Sequence, residues 1–332
     1  MKFSLIICTY MRPDPLLKLL RSVTEQTLYP DEILIIDGST DKRTKNAIAS
    51  HNFPSLRYYK VPENERGLTR QRNYGIERVS DDIEVVCFLD DDTVLKPEYF
   101  KNLLETYIQF PKALGVGGYI VNEVAWNKTH ENETMDDSYF VYDGWARKDG
   151  SRYVLRKKLG LDSDKAPACF PGFAHGRSVS FLPPSGKTYE VEQLMGGVSS
   201  FRKKVLDDHK FSTYFDGYGL YEDADYTLRI SNIGKLYVNT TAQLYHYHEA
   251  SGRPDSFKYG KMVVRNGWYV WRVKFPKPGI KDRIKWNATA LLLTLVRMSN
   301  VLTGPDRQAA FYESLGRVTG WWSLLINKPR KV

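Results

Sequence analysis

The stretch VVCFLDDDTVL, residues 85–95, sets three consecutive aspartates directly behind five apolar residues. A short, continuous apolar run of this kind is typical of a strand that is buried on both faces. Like charges at such close spacing repel, and a carboxylate at a strand end loses part of its hydration. The stretch therefore predicts a buried strand whose end carries an acidic cluster, compensated by a positively charged partner.

Three further strand-like runs precede this one, and helix-like segments separate them. The runs are FSLIIC (3–8), EILIID (32–37) and LRYYKV (56–61), and the helical segments are PLLKLLRSV (15–23) and GLTRQRNYGIERV (67–79). This alternation predicts an α/β fold with a parallel sheet covered by helices on both faces. Ligands of such sheets bind beyond the carboxyl ends of the strands, which is where the aspartates stand.

Downstream, the α/β pattern continues, loosens and then gives way to helices. The patterns predict helices over 96–110 and 221–234, strands over 114–121 and 236–248, and a strand followed by a helix over 196–206. Residues 122–190 are rich in charges, Gly and Pro, and predict loops and short strands. From residue 256 onward the chain is helical, basic and rich in Trp and Tyr.

The composition narrows the class of protein. The net charge is +9 and the pI is about 9.2, which implies anionic partners such as nucleic acid, anionic lipid or a phosphorylated substrate. Aromatic residues make up 13%, which favours flat or amphipathic ligands or a membrane surface, with a Tyr-rich core as the alternative. The three cysteines are an odd number, and Cys8 and Cys87 lie in apolar runs, which favours reduced thiols. We find neither a secretory signal peptide nor an apolar run that could span a bilayer, so we expect a cytoplasmic protein.

Two of the aspartates have the spacing of a metal site. Asp90 and Asp92 are separated by one residue at a strand exit and can present two oxygens to a hard cation, Mg²⁺ or Mn²⁺. The alternative is a solvated turn or an N-cap for the following helix. Arg70 and Arg72 start a helix that leads into this strand, and arginine suits phosphate because its fork donates two hydrogen bonds. Cation and arginines at one sheet edge indicate a diphosphate site.

The ends of the first two strands suggest how a base is held. The first turn, CTYMRPDP, contains no glycine, so a nicotinamide or flavin site with a glycine-rich phosphate loop is a poor interpretation. Asp37 ends the second strand and can accept a hydrogen bond from a base N–H while Tyr10 stacks on the ring. A turn residue before Gly38 is the alternative for Asp37.

The chain contains six segments in this order: LIICTYMRPDPLLKLLRSVTEQTLYPDEILIIDGSTD, GLTRQRNYGIE, FLDDDT, GGVSSFRKKVL, YEDADYTLR and LYHYH. Together, these segments resemble glycosyltransferase family 2. The resemblance covers about the first 120 residues well and resumes after residue 195. It implies inverting enzymes with a Rossmann-like GT-A fold, a mostly parallel central sheet flanked by helices, here followed by a helical C-terminal extension. We therefore expect a catalytic domain over 1–250, with a nucleotide-sugar half (1–120) and an acceptor and catalytic-base half (121–250), and a basic, Trp-rich helical region over 251–332.

The resemblance also implies roles for matching positions. Nucleotide-binding residues would be Thr9, Tyr10, Asp37, Arg72, Asp90 and Asp91. The phosphate chemistry of arginine, independent of the resemblance, adds Arg70. Metal ligands would be Asp90 and Asp92, with Asp92 the direct one, and a downstream histidine. Asp223 would be the catalytic base, with Glu222 beside it.

Chemical reasoning about these acids and histidines agrees with the implied roles. Inverting transfer needs a carboxylate that takes a proton from the acceptor hydroxyl, and a metal and arginines can stabilise the departing diphosphate. Acids in a first helical turn are the alternative for Glu222 and Asp223. His246 and His248 share one face of an extended strand, and either could ligate the cation or serve a structural role.

We accordingly expect a metal-dependent inverting glycosyltransferase that moves a sugar from a nucleoside-diphosphate sugar, with UDP- or dTDP-sugars favoured, to a hydroxyl of a glycan or lipid-linked acceptor in cell-surface polysaccharide synthesis. The alternatives are a nucleotidyltransferase and a non-enzymatic nucleic-acid-binding protein, although no nucleic-acid-binding motif is found. The basic, aromatic segments 257–286 and 316–325 suit helices on an anionic membrane, at the inner face of the cell membrane, or a helical cap packed on the catalytic domain.

Overall fold

The structure is a computed structural model that describes residues 1–130, 135–248 and 254–330. Contacts divide the chain into two compact units. The first unit comprises Met1–Val124 and Pro184–Gly252, and the second comprises Ala125–Pro183 and Arg253–Val332.

The first unit begins with the β-α alternation that the sequence predicts. Its elements in chain order are β1 (Phe3–Thr9), α1 (Pro13–Thr24), β2 (Glu32–Asp37), α2 (Arg43–Ala49), β3 (Leu56–Lys60), α3 (Leu68–Ile76), β4 (Val85–Asp90), β5 (Thr93–Leu95), α4 (Tyr99–Gln109) and β6 (Ala113–Ile120). Helix α1 starts at Pro13, whose fixed backbone suits a first helical turn, and it buries Leu16, Leu19, Leu20 and Val23 on one face. Helix α2 was not predicted from the sequence, because it has only seven residues and buries just two of them.

The second unit starts with short strands and one helix. They are β7 (Asn127–Lys128), β8 (Tyr139–Tyr142), β9 (Trp145–Lys148) and α5 (Ser151–Lys158), and the strands form a small sheet in the order β7-β9-β8. Arg177 is buried here, and its guanidinium donates to both carboxylate oxygens of Asp149, at 2.8 and 3.0 Å. This buried, bidentate pair sits among the aromatic rings of Phe140, Tyr153 and Phe181.

The chain then returns to the first unit and completes its sheet. The elements are β10 (Thr188–Val191), β11 (Val198–Arg202), α6 (Lys203–Asp208), α7 (Glu222–Ile230) and β12 (Lys235–His246). Helix α7 ends four residues before Gly234, earlier than the sequence suggests. The backbone of Tyr221, immediately before this helix, adopts a left-handed conformation, with φ of 71°.

The large sheet of the first unit has the strand order β10-β12-β6-β11-β4-β1-β2-β3, with β5 paired to β12. Six strands run in one direction, namely β1, β2, β3, β4, β6 and β12, and three run against them, namely β5, β10 and β11. The central strands β1, β2 and β4 are almost completely buried, as continuous apolar runs require. The sheet is therefore mostly parallel, with antiparallel β11 inserted between β4 and β6.

Three long helices complete the second unit. They are α8 (Ser256–Lys274), α9 (Ile280–Thr303) and α10 (Arg307–Ile326). Trp271 of α8 and Trp286 of α9 stack with ring centroids 5.2 Å apart, and the Trp271 indole donates to the carbonyl of Gly172 at 2.7 Å. No helix in the described parts of the chain is both long enough and apolar enough to cross a bilayer.

The two units differ in extent from the domains expected from the sequence. Residues 125–183 belong to the same unit as the C-terminal helices, although they were expected in the acceptor half of the catalytic domain. The reason is that Phe170 and Ala174 pack against the Trp271–Trp286 cluster, a contact between distant segments that no local pattern reveals. The boundary expected at residue 250 lies outside the described residues and stays a prediction.

Candidate active site

The carboxyl ends of β1, β2 and β4 lie side by side. In the register of the sheet, Cys8 is opposite Asp90 and Thr9 is opposite Asp37. The parallel alignment therefore brings Thr9, Asp37 and the aspartate triplet to one edge of the sheet, as the sequence predicts.

The three aspartates have three different environments. Asp91 is buried and accepts hydrogen bonds from the Thr9 hydroxyl at 2.6 Å and the Arg12 guanidinium at 3.1 Å. Burial raises the pKa of Asp91 to about 6, although Thr9 and Arg12 act against that rise. Asp92 is buried against His246, with Nε2 3.1 Å from Oδ1, whereas Asp90 is partly exposed. Positively charged groups therefore compensate the triplet, and Arg12 is shared by Asp91 and Asp92, at 3.1 and 3.6 Å.

Asp90, Asp92 and His246 form a group that could hold a metal ion. Their ligand atoms lie within 4.8 Å of one another. Two carboxylates and an imidazole are a suitable donor set for Mn²⁺, and for Mg²⁺ if the carboxylates and water dominate. Burial alone would lower the pKa of His246, but its contacts with Asp92 and Glu123 outweigh that effect and raise the pKa to about 10. Without a cation, the imidazolium ring supplies the compensating positive charge.

His248 lies in a second group rather than in this one. Its Nε2 is 3.0 Å from Oε1 of Glu123, which is also 3.2 Å from Nδ1 of His246. Glu123, His246 and His248 again place ligand atoms within 4.8 Å of one another. Glu123 therefore connects the two histidines and fixes the ring of His246 with Nε2 towards Asp92.

A buried arginine connects Asp90 to the acids of α7. Arg72 is buried between the rings of Phe88 and Phe211, and its guanidinium lies 2.5 Å from Oε1 of Glu222 and 3.8 Å from Oδ1 of Asp90. Oε2 of Glu222 is buried and has no hydrogen-bond partner in the structure. Burial raises the pKa of Glu222 to about 8 against the lowering effect of Arg72, and the neighbouring Asp223 and Asp90 add to the rise. Three carboxylates here share one guanidinium, so the charge of Arg72 does not compensate all of them.

Two glycines allow these groups to approach each other. A Cβ at Gly197 would lie 2.1 Å from the carboxyl carbon of Asp90, and a Cβ at Gly196 would lie 2.5 Å from Oε1 of Glu222. The Gly-Gly pair before β11 is therefore required by close packing with Asp90 and Glu222.

The backbone of the same pair also orients Asp223. The amide of Gly196 donates to Oδ2 of Asp223 at 3.2 Å, and the amide of Ala224 donates to Oδ1 at 2.7 Å. Burial raises the pKa of Asp223 even though these two hydrogen bonds oppose the rise. A partly buried carboxylate with a raised pKa, held in place by two backbone amides, is suited to accept a proton.

Two residues expected to bind the base, Tyr10 after β1 and Asp37 at the end of β2, lie in different environments. Tyr10 is exposed, whereas Asp37 is fully buried. Tyr58 donates to Oδ2 of Asp37 at 2.6 Å, and the amide of Ser39 donates to Oδ1 at 2.7 Å. The expected role of Asp37 as hydrogen-bond acceptor for a nucleotide base stays a prediction.

Arg70 does not join the acidic cluster in this structure. Its Nε is 3.5 Å from Oδ1 of Asp216, in the loop before α7. Only Arg72 of the two expected arginines contacts Asp90, and a phosphate role for Arg70 stays a prediction.

Sequence reasoning missed several residues that shape the site, namely Arg12, Tyr58, Glu123, Gly196 and Gly197. Arg12 lies three residues after the end of β1, so its position near the carboxyl ends of the parallel strands could have been predicted. The partners of Glu123 and of the two glycines are more than twenty residues away in sequence, and no local signal identifies them.

Comparison with known proteins then gives the family. The model of the family described as Glycosyl transferase family 2 matches residues 4–177, more than half of the chain. The chain belongs to glycosyl transferase family 2. The family expected from the sequence motifs is thus confirmed.

Two curated glycosyltransferases resemble parts of this chain. A glucosyl-dolichyl phosphate glucuronosyltransferase of Haloferax volcanii is 31% identical over 124 residues, which are 36% of this chain and 39% of that protein. The amylovoran biosynthesis glycosyltransferase AmsE of Erwinia amylovora is 31% identical over 123 residues, which are 36% of this chain and 45% of that protein. The chain spans less than half the length of these relatives.

A solved structure resembles the whole chain. The mannosyltransferase PcManGT of Pyrobaculum calidifontis, in complex with GDP-Man and Mn²⁺, superposes with a TM-score of 0.53 at 12% identity, over 99% of this chain and 88% of that one. At this identity the likeness concerns the fold alone. The Rossmann-like GT-A fold predicted for this family member, with its mostly parallel sheet and helical C-terminal part, is confirmed.

Proposed function

We propose that this protein is a metal-dependent inverting glycosyltransferase that transfers a sugar from a nucleoside-diphosphate sugar to a hydroxyl group. The observation that carries the proposal is the arrangement around Asp90. This carboxylate belongs to the group that could hold a cation, and through Arg72 and Gly197 it adjoins the acids that open α7. A site for a diphosphate and a site for a proton acceptor are thereby adjacent.

In the proposed reaction, the acceptor oxygen attacks the anomeric carbon from the face opposite the diphosphate. The bond between that carbon and the phosphate oxygen breaks, its electron pair leaves with the nucleoside diphosphate, and the hydroxyl proton passes to the carboxylate of Asp223. The amides of Gly196 and Ala224 keep this carboxylate oriented. The configuration at the anomeric carbon is inverted because one displacement occurs.

Asp90, Asp92 and His246 are the residues that would hold Mn²⁺ or Mg²⁺, and the bound ion would supply charge neutralisation of the diphosphate. Arg72 contributes the fixed positive charge of the chain itself. Because it is buried between two aromatic rings, its position is held whether or not a ligand is present.

For the donor we propose uracil or thymine as the base, since their N3–H can donate to Asp37. This carboxylate is buried and already accepts hydrogen bonds from Tyr58 and Ser39, so a base contact requires a local rearrangement at the end of β3. For the acceptor we propose a glycan or lipid-linked glycan in polysaccharide synthesis, which fits the activities for which the relatives from Haloferax volcanii and Erwinia amylovora are named. The family match supports neither a nucleotidyltransferase nor a nucleic-acid-binding protein.

A thermal-shift panel of UDP, dTDP, GDP and ADP, each with and without Mn²⁺, tests the donor site. We expect UDP or dTDP to raise the Tm only when Mn²⁺ is present, because a ligand stabilises the state that binds it. Asp92→Asn should abolish the Mn²⁺ effect, whereas Asp208→Asn, which changes an exposed aspartate at the end of α6, should leave it intact. Equal shifts in Asp92→Asn and the parent protein would remove Asp92 from the metal site.

The proton acceptor is tested separately with Asp223→Asn. We expect this variant to keep the nucleotide-induced rise in Tm and to lose transfer by a factor on the order of 10²–10⁴, the usual contribution of general base catalysis. If Asp223→Asn kept the parent rate of sugar transfer, a group other than Asp223 would accept the proton.

A further inference from the structure

We propose that the outer face of α9 and α10 lies on the surface of an anionic lipid bilayer. This inference does not rest on the proposed transferase activity. It rests on the placement of exposed apolar side chains and of positive charge in the second unit.

Helix α9 carries an unpartnered apolar stripe along its whole length. Its exposed apolar residues are Ile280, Ile284, Leu291, Leu295, Met298 and Leu302. At about 100° per residue, these six fall within roughly 60° of one another around the helix axis. Ile280 is 74% exposed and Leu302 is 78% exposed, so water covers both ends of the stripe.

Helix α10 carries a second stripe beside the first. Its exposed apolar residues are Phe311, Leu315, Val318, Trp322, Leu325 and Ile326, which fall within about 100° around that helix. Ile284 and Leu291 of α9 and Val318 and Trp322 of α10 line the same groove, of about 650 Å³. The two stripes therefore form one continuous apolar surface. Exposed apolar areas of this extent mark interaction or membrane sites on soluble domains.

The charge of the chain is concentrated in the same region. Residues 254–330 contain 14 Lys and Arg and 4 Asp and Glu, a net charge of +10, while the whole chain carries +9. The rest of the molecule is thus close to neutral.

Most of the acids in this region are engaged inside the helical unit. Asp255 and Asp306 accept backbone hydrogen bonds as N-caps, and Glu313 is buried between Arg297 and Arg317. The remaining positive charge includes Lys277, Lys281 and Arg283, which are exposed around the start of α9.

An apolar face rimmed by lysine and arginine complements an anionic bilayer. The apolar side chains enter the acyl boundary while the cations meet lipid phosphates. A helix that lies on the bilayer needs an apolar face and no continuous apolar length. A second copy of the chain would satisfy the apolar face, but it would bring two strongly positive surfaces together.

Vesicle co-sedimentation tests the apolar part of the proposal. We expect the protein to bind vesicles of phosphatidylcholine with about one-third phosphatidylglycerol and to bind pure phosphatidylcholine at least about tenfold more weakly. The triple variant Leu295→Gln, Leu302→Gln, Leu325→Gln should weaken binding by about tenfold or more, because each side chain would lose its burial in the lipid. The matched control is Ile108→Gln with Ile233→Gln, two exposed isoleucines of the first unit, which should bind like the parent protein.

The charge contribution is tested with Lys277→Gln combined with Lys281→Gln. We expect at least about a tenfold loss of binding at low salt, since each cation near the surface contributes attraction that salt screens. Lys112→Gln combined with Lys204→Gln, exposed lysines of the first unit, is the control and should change nothing.

Three outcomes overturn the proposal: no binding to anionic vesicles, equal binding to neutral ones, or binding that the apolar triple variant leaves unchanged. Sedimentation analysis can give a fourth contrary outcome. If the parent protein is a dimer and the triple variant is a monomer, a second copy of the chain covers the apolar face. The vesicle assay contains no nucleotide and the thermal-shift panel contains no lipid, so the membrane proposal and the transferase proposal can fail independently.

Discussion

Glu222→Gln is the substitution that best tests the electrostatics of the site. The side chain of Glu222 is 5% exposed, one of its oxygens contacts Arg72, and the other has no hydrogen-bond partner in the structure. Glutamine keeps the size and shape of this side chain and removes its charge. The change therefore isolates the cost of holding a buried carboxylate next to Asp90 and Asp223.

The expected magnitude follows from proton linkage. Because the pKa of Glu222 rises from 4.5 in the unfolded chain to about 8 in the fold, the folded protein holds a proton that the unfolded chain releases. The resulting stabilisation is complete below pH 4.5 and is lost as the pH rises through about 8. At about 1.4 kcal/mol per pH unit, this interval corresponds to at most about 5 kcal/mol of unfolding free energy.

Urea unfolding of both proteins at pH 5, 7 and 9, in buffer without divalent cations, measures the effect. At pH 5 both side chains are neutral, and we expect similar unfolding free energies. By pH 9 the glutamine variant should have gained several kcal/mol relative to the parent protein, because only the parent then buries an additional negative charge. Glu105→Gln, an exposed glutamate of α4, should show no such trend. A difference between Glu222→Gln and the parent that stays constant with pH would refute the reasoning and make Glu222 an ordinary ion-pair partner of Arg72.

Three further substitutions test the packing. Gly197→Ala should push the Asp90 carboxyl away, since the new Cβ would lie 2.1 Å from it. We expect the apparent Mn²⁺ affinity, measured from the Mn²⁺-dependent rise in Tm, to fall at least about tenfold, while the far-UV circular dichroism stays unchanged. Glu123→Ala should free the ring of His246 and weaken Mn²⁺ binding by about 10–100-fold in a titration, whereas binding at the parent level would exclude a positioning role. Gly316→Ala should lower the free energy of urea unfolding by about 1–3 kcal/mol, because its Cβ would meet the carbonyl of Phe257 at 2.1 Å. Gly150→Ala meets open space and serves as the control.

The strands of the first unit could be predicted because a strand that is buried on both faces appears in the sequence as a continuous apolar run. Runs such as 32–37 contain four consecutive apolar residues, and only a fully covered strand tolerates that. The site residues at strand ends could be predicted for the same reason, because parallel strands end at a common edge. The direction of β11 could not, since its apolar pattern is the same whether it runs with or against its neighbours.

Contacts between distant segments set the limits of prediction. The pairing of Glu123 with His246 joins positions 123 residues apart, and nothing in either local sequence encodes it. For the C-terminal helices, local sequence was sufficient, and it correctly indicated helical structure and basic character. It left open which face is exposed, because an amphipathic stripe looks the same whether it packs on protein or meets lipid.

The environments of the aspartate triplet explain how the fold tolerates three adjacent carboxylates. Asp91 points into the protein, where Thr9 and Arg12 satisfy it, and its burial favours a structural role in holding the turn. Asp90 and Asp92 flank it in sequence and contact different cations, Arg72 and His246, and Arg12 also lies 3.6 Å from Oδ2 of Asp92. Strand β4 ends at Asp90, and the chain turns at Asp91 and Asp92 before β5 begins at Thr93, so the turn places the three carboxylates in different surroundings. Substitution of Asp91 should therefore reduce stability first, whereas substitution of Asp90 or Asp92 should reduce cation-dependent nucleotide binding first.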